Sequence, residues 1–130
     1  VGASRGLGLE FVRQYRAEGW KVIGTARNAE GEARIAALGA TALRLDADAP
    51  DAIGAILACV GNLALDVALY NAGVYGPRVN ALTAPGDEEF DLVMRTNVRA
   101  PMRTRPTRSR SWPKRPMFSS LKTKPRWLTC

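Results

Sequence analysis

Apolar side chains recur along the first hundred residues with two alternating periods. Gly8, Phe11, Val12 and Tyr15 fall at i, i+3, i+4 and i+7, while Glu10, Arg13, Gln14, Arg16 and Glu18 fill the opposite face. That spacing predicts an amphipathic helix ended by Gly19. Trp20–Ala26 then reads as a strand, Glu32–Leu38 as a second helix closed by Gly39, and Thr41–Asp46 as the next strand. A third helix is predicted over Asp51–Val60 and a buried strand over Leu65–Tyr70. A further helix starts near Asp87, where three acids in the first turn favour the helix dipole. Its core stripe would be Phe90, Val93, Met94 and Asn97, which puts an asparagine on the buried face. Strands alternating with helices of about ten residues imply βαβ units, hence a parallel sheet with helices on both faces.

After Ala100 the periodicity stops. Residues 1–100 carry 10 Lys and Arg against 12 Asp and Glu, whereas residues 101–130 carry 9 Lys and Arg and no acid. All 12 glycines precede residue 101, and 5 of the 8 prolines lie from Pro101 onward. The net charge of +7 therefore belongs to a tail and says nothing of the preceding domain. With prolines too close for a helix, 101–130 is expected to be a disordered basic segment behind a domain at 1–100.

Composition removes several kinds of chemistry. The chain has no histidine, which excludes a Ser-His-Asp triad and a mixed Cys/His zinc site. Cys59 and Cys130 have no CxxC spacing, so a reducing, cytoplasmic location is expected rather than a disulfide. No apolar run approaches the roughly 18 residues that span a bilayer, and nothing at the N-terminus marks secretion.

The candidate chemistry lies at the start. Gly2, Gly6 and Gly8 in GASRGLG lead directly into a helix, a turn in which a pyrophosphate can approach bare backbone and sit on the helix's free N–H groups. The second strand ends at Arg27, 19 residues past Gly8, where a dinucleotide-binding fold chooses its ribose partner. An acid there favours NAD, and an arginine without one favours the 2′-phosphate of NADP. Arg27 with Arg5 thus favours NADP over NAD, against the plainer reading of two solvated surface cations.

These residues resemble the classical short-chain dehydrogenase/reductases, most closely the carbonyl-reductase-like or C-factor-like branch. GASRGLG looks like the cofactor loop of that family, Tyr70–Gly73 (YNAG) like its Asn-Asn-Ala-Gly motif, Leu45–Ala47 like its adenine-contacting turn, and Asn97 in TNVRAP like its catalytic asparagine. The resemblance covers about residues 1–100 and implies a Rossmann-type sheet, an NAD(H) or NADP(H) cofactor, of which Arg27 favours NADP(H), and hydride transfer between nicotinamide and a carbonyl or alcohol. It would place Gly2, Ser4, Arg5, Gly6, Leu7 and Gly8 on the pyrophosphate, Arg27 on the 2′-phosphate, and Asp46 and Ala47 on adenine. Asn71, Ala72 and Gly73 would sit at the carboxyl end of the fourth strand, and Asn97 would hold a water of the proton relay or bond only to main chain. An intact relative would act on a small-molecule carbonyl substrate, away from membranes, with an oligomer an open expectation.

The departures are as informative. Tyr70 replaces the first Asn of the motif. Only Val1 remains of the strand that should precede the glycine loop, so the sheet is expected to lack its first strand as well as its C-terminal half. The family's catalytic Ser and Tyr-x-x-x-Lys are absent, because Tyr15, Tyr70 and Tyr75 are followed four residues later by Gly19, Val74 and Val79. On that pattern the chain binds cofactor at most. The basic tail reads either as the product of a frame shift near Met102 or as an arm that binds nucleic acid through phosphates, with Trp112 and Trp127 stacking on bases. A non-catalytic interaction fragment is the third alternative.

Overall fold

A computed structural model describes residues 1–76 and 84–104, together with the backbone of 127–129. Helix α1 runs from Gly6 to Ala17 and buries Gly8 and Val12, and the chain then turns through Gly19 into strand β1, Lys21–Ala26. Every β1 residue after Lys21 is buried, the pattern of a strand covered on both faces. Helix α2, Ala29–Ala37, begins earlier than the periodicity alone places it, because the Asn28 side chain accepts the Gly31 N–H at 2.9 Å and caps the first turn. Strand β2 follows at Thr41–Arg44, α3 at Ala52–Val60, and β3 at Val67–Ala68, shorter than the expected Leu65–Tyr70.

Helix α4, Asp87–Met94, carries Asp87, Glu88 and Glu89 in its first turn, and the Glu89 carboxylate accepts the Gly86 N–H at 3.2 Å. A π-helical turn at Arg95–Arg99 and a short helix α5, Ala100–Thr104, continue it. The expected core stripe is corrected here. Phe90 is 54% exposed and Asn97 is exposed too, while burial falls on Ala100 and Thr104 at the far end. Among the described residues β3 is the sheet's edge, so no layer lies beyond it to cover the stripe.

The strands are all parallel, in the order β2-β1-β4-β3, where β4 is Trp127–Thr129. The sheet is the incomplete Rossmann-type sheet expected, with four strands among the described residues. The position of the sheet's first strand is occupied, by β4 along most of its length and by Val1–Ala3 at its carboxyl end, where Ala3 N–H donates to Thr25 O at 2.9 Å. One expectation changes at this point: the segment expected to be without regular structure is helical at 101–104 and extended at 127–129. Ladder partners on both sides supply an order that local composition does not encode. The rest of the tail expectation, for 105–126 and 130, lies outside the described residues.

Two apolar clusters hold the layers. Val12 of α1 and Ile35 of α2, both fully buried, pack with Ala3, Trp20, Val22 and Ala26. Each such side chain contributes about 1.5–3 kcal/mol on burial. Val1, Ala47 and Ala100 form the second, with Ile56 and Tyr70 against it. Leu69 and Tyr70, adjacent on the chain, join different clusters, as alternation along a strand requires when both faces are covered.

Candidate functional site

The carboxyl ends of β1, β2 and β3 open onto one cleft of ≈ 730 Å³. Every site residue expected from the sequence lines it except Gly8. Gly8 lies beneath, where a Cβ would stand 2.0 Å from Gly2 O and 2.9 Å from Asn71 Nδ2. That glycine lets α1 pack directly on the backbone turn in front of it. Gly2 adopts φ +84°, and a Cβ there would come within 2.5 Å of Ala72 N. Both positions therefore admit only glycine without rearrangement.

Buried hydrogen bonds fix the turn. Thr25 is 1% exposed, and its Oγ1 accepts the Gly2 N–H at 3.1 Å. Asn71 donates its main-chain N–H to Val1 O at 2.8 Å and its Nδ2 to Gly2 O at 3.3 Å, tying the two loops together. The first turn of α1 follows Arg5, whose side chain makes no capping bond, so its leading N–H groups face the cleft uncapped. Arg5 and Arg27 are both exposed on the rim, and neither forms an ion pair among the described residues. An open helix N-terminus, a glycine cradle and two unpaired guanidinium groups fit a ligand that carries phosphates.

The opposite wall is acidic. Asp46 Oδ1 accepts the Asp48 N–H at 3.0 Å, and Asp48 meets the Arg99 guanidinium at 2.7 Å, which holds its carboxyl below the usual range. Burial raises the Tyr70 phenol above its ordinary value, with Asp48 and then Asp46 adding to the effect, while its hydroxyl donates to Thr96 O at 3.3 Å. Tyr70 thus ties β3 to the π-helical turn. On that turn Asn97 closes a loop: its Oδ1 accepts the Val74 N–H at 2.8 Å and its Nδ2 donates to Val74 O at 2.7 Å. Asn97 thus bonds to the main chain of Val74 through both atoms of its amide.

Sequence reasoning missed Thr25, Asp48 and Val74 as parts of the site. Thr25 had a signal, a polar residue in an apolar strand two positions before Arg27, whereas Asp48 meets Arg99 across 51 positions. Among the described residues there is no cluster of metal-ligating side chains and no helix long and apolar enough to cross a membrane.

A parallel sheet with a glycine turn entering a helix at the open ends of its strands defines a dinucleotide-binding α/β fold. Residues 1–116 match the model of the short chain dehydrogenase family, and the chain belongs to that family. It is similar to a carbonyl reductase from Pseudomonas aeruginosa PAO1 crystallised with NADP, at 30% identity and a TM-score of 0.73 over 80% of this chain and 48% of that one. A short-chain dehydrogenase/reductase from Burkholderia multivorans with bound NADP matches at 31% identity and a TM-score of 0.70, over 79% and 48%. The chain spans about half the length of these structures. Comparison with curated protein sequences gives no match.

Proposed function

We propose that this chain carries the NADP(H)-binding half of a short-chain dehydrogenase/reductase, and that it binds cofactor without transferring hydride. The observation that carries the first part is the pairing of an uncapped helix N-terminus with Arg5 and Arg27 on one cleft, with no acid at the end of β1. In this reading the turn from Gly2 to Gly8, with Ser4 and Leu7, holds the pyrophosphate. Arg27 and Arg5 take the 2′-phosphate, and Asp46 and Ala47 lie against adenine. Asn71, Ala72 and Gly73 form the crevice floor. When bound, NADP(H) would supply the hydride exchanged with a carbonyl or alcohol substrate.

The second part rests on proton chemistry. Reduction of a carbonyl leaves an alkoxide that must be protonated by a group titrating in an accessible range. No tyrosine here has a lysine four residues on, and there is no histidine. Asn97 keeps one amide hydrogen and one lone pair beyond its contacts with Val74, enough to position a water and not to donate the proton itself. Cys59, a free thiol, is in keeping with the reducing cytoplasm proposed as its location.

Fluorescence titration of the full chain with NADPH and NADH tests the reading. NADPH should bind more tightly. A hydrogen bond to a charged group is worth about 1.5–3 kcal/mol, so Arg27→Ala should weaken NADPH binding by roughly 10- to 100-fold and leave NADH binding unchanged. Equal affinities for the two nucleotides would refute the cofactor assignment. NADPH oxidation with aldehydes and ketones should stay at the buffer blank, and turnover above it would refute the loss of catalysis.

A further inference from the structure

Four ion pairs are present among the described residues, and only the one between Asp48 and Arg99 has a member that lines the cleft. The other three join residues 3, 4 and 12 positions apart, whereas this one joins the loop after β2 to the π-helical turn across 51. Arg99 itself stands outside the lining. Arg95 and Arg103 lie four residues to either side of it, exposed and without an ion pair of their own among the described residues. After the direct bond from Arg99, the charges of Arg99, Arg95 and Arg103 all add to the attraction that Asp48 feels. The charged side chains of the lining are Arg5, Arg27, Asp46 and Asp48. Carboxylates thus oppose guanidinium groups across a cleft that has to take a nucleotide bearing several negative charges.

We propose that Arg99, with Arg95 and Arg103 beside it, masks the Asp48 carboxylate and so sets how tightly the cleft takes an anionic nucleotide. The inference rests on the cofactor reading above and deepens it: Arg5 and Arg27 attract phosphates directly, while Arg99 is a positioning residue that acts through Asp48. The mechanism is electrostatic, and it gives the two members opposite signs. Without Arg99, Asp48 is a bare carboxylate on the wall and repels the ligand. Without the Asp48 charge, three uncompensated guanidinium groups behind the wall draw the ligand in. A bond that only fastened the loop to the turn would give a loss for both. The Asp48 N–H bond to Asp46 at 3.0 Å is made by main chain, so it survives in Asp48→Asn.

Fluorescence titration with NADPH of the full chain and its variants, each checked for folding by circular dichroism, reads these signs. At low ionic strength Arg99→Ala should weaken binding by roughly 3- to 10-fold, the effect of one partly screened charge at the edge of a site, and Asp48→Asn should tighten it by about 2- to 5-fold. The double variant should return to within about twofold of the parent, and Arg99→Lys should keep most of the affinity. At ~1 M salt, where the Debye length is about 3 Å, the differences should fall below about twofold. Weaker binding in both single variants, or a double variant no better than Arg99→Ala, would overturn the masking role. So would an Arg99→Ala chain that binds as tightly as the parent at low salt. A parent chain that fails to bind NADPH would instead refute the cofactor reading, and this inference with it.

Discussion

Replacing a glycine by alanine should have opposite consequences at two helical positions of this chain. At Gly8 the new Cβ would lie 2.0 Å from Gly2 O and 2.9 Å from Asn71 Nδ2. The first of these is main chain, pinned by Asn71, so relief requires α1 to move off the turn by more than an ångström. Such overpacking costs about 1–3 kcal/mol, occasionally more, and alanine returns about 0.8–1 kcal/mol of helix propensity. The net expectation for Gly8→Ala is a loss of up to about 2 kcal/mol together with a distorted cleft. Gly54, inside α3, has nothing within 4 Å of the equivalent Cβ. Gly54→Ala should therefore add about 0.5–1 kcal/mol. Urea denaturation of both variants beside the parent chain, followed by circular dichroism, resolves a gap of this size. If Gly8→Ala proved as stable as Gly54→Ala, close packing of α1 on the glycine turn would be refuted, and with it the reason for a glycine there.

Thr25→Val keeps the volume and removes the acceptor of the Gly2 N–H, so it should cost about 1–3 kcal/mol in the same assay. Thr25→Ser, which retains the oxygen, should cost only the ~0.8 kcal/mol of a buried methyl, and equal losses would deny the bond. Glu10 accepts bonds from Arg13 and Gln14 that lower its pKa from 4.5 to about 2. Because the folded value is depressed, its contribution to stability is present above pH 4.5 and is lost as pH falls toward 2. Carboxyl chemical shifts should show a Glu10 midpoint near 2 that rises toward 4.5 in Arg13→Ala, and an unchanged midpoint would remove Arg13 as the cause.

Most of the site could be read in sequence because its determinants are local. A glycine turn, a helix with one apolar face and a strand ending in arginine fall within Gly2–Arg27, and short connections bring them together with little choice of arrangement. The start of α2 was equally local and was missed, although Asn28 stands three residues before Gly31 with Glu30 and Glu32 beside it. The burial of α4 could not be read the same way. Its apolar stripe predicts a buried face, yet periodicity names the face and not the layer that covers it, and here the far end carries the contacts through Ala100 and Thr104.

The contacts furthest from sequence reasoning are those that close the cleft. Asn97 to Val74, Tyr70 to Thr96 and Arg99 to Asp48 all run from the π-helical turn to the loops after β2 and β3. Each joins residues at least 23 positions apart, so no local pattern announces it. They share one physical cause. A π-helical turn winds more residues per turn than the α-helix around it and so changes which side chains face a common direction. With Asn97 at its centre and Arg99 at its end, the turn at Arg95–Arg99 presents an amide to one loop and a guanidinium to the other. The asparagine that the apolar stripe placed on a buried face is exposed at the rim, where its amide meets the main chain of Val74 in a loop that lines the cleft.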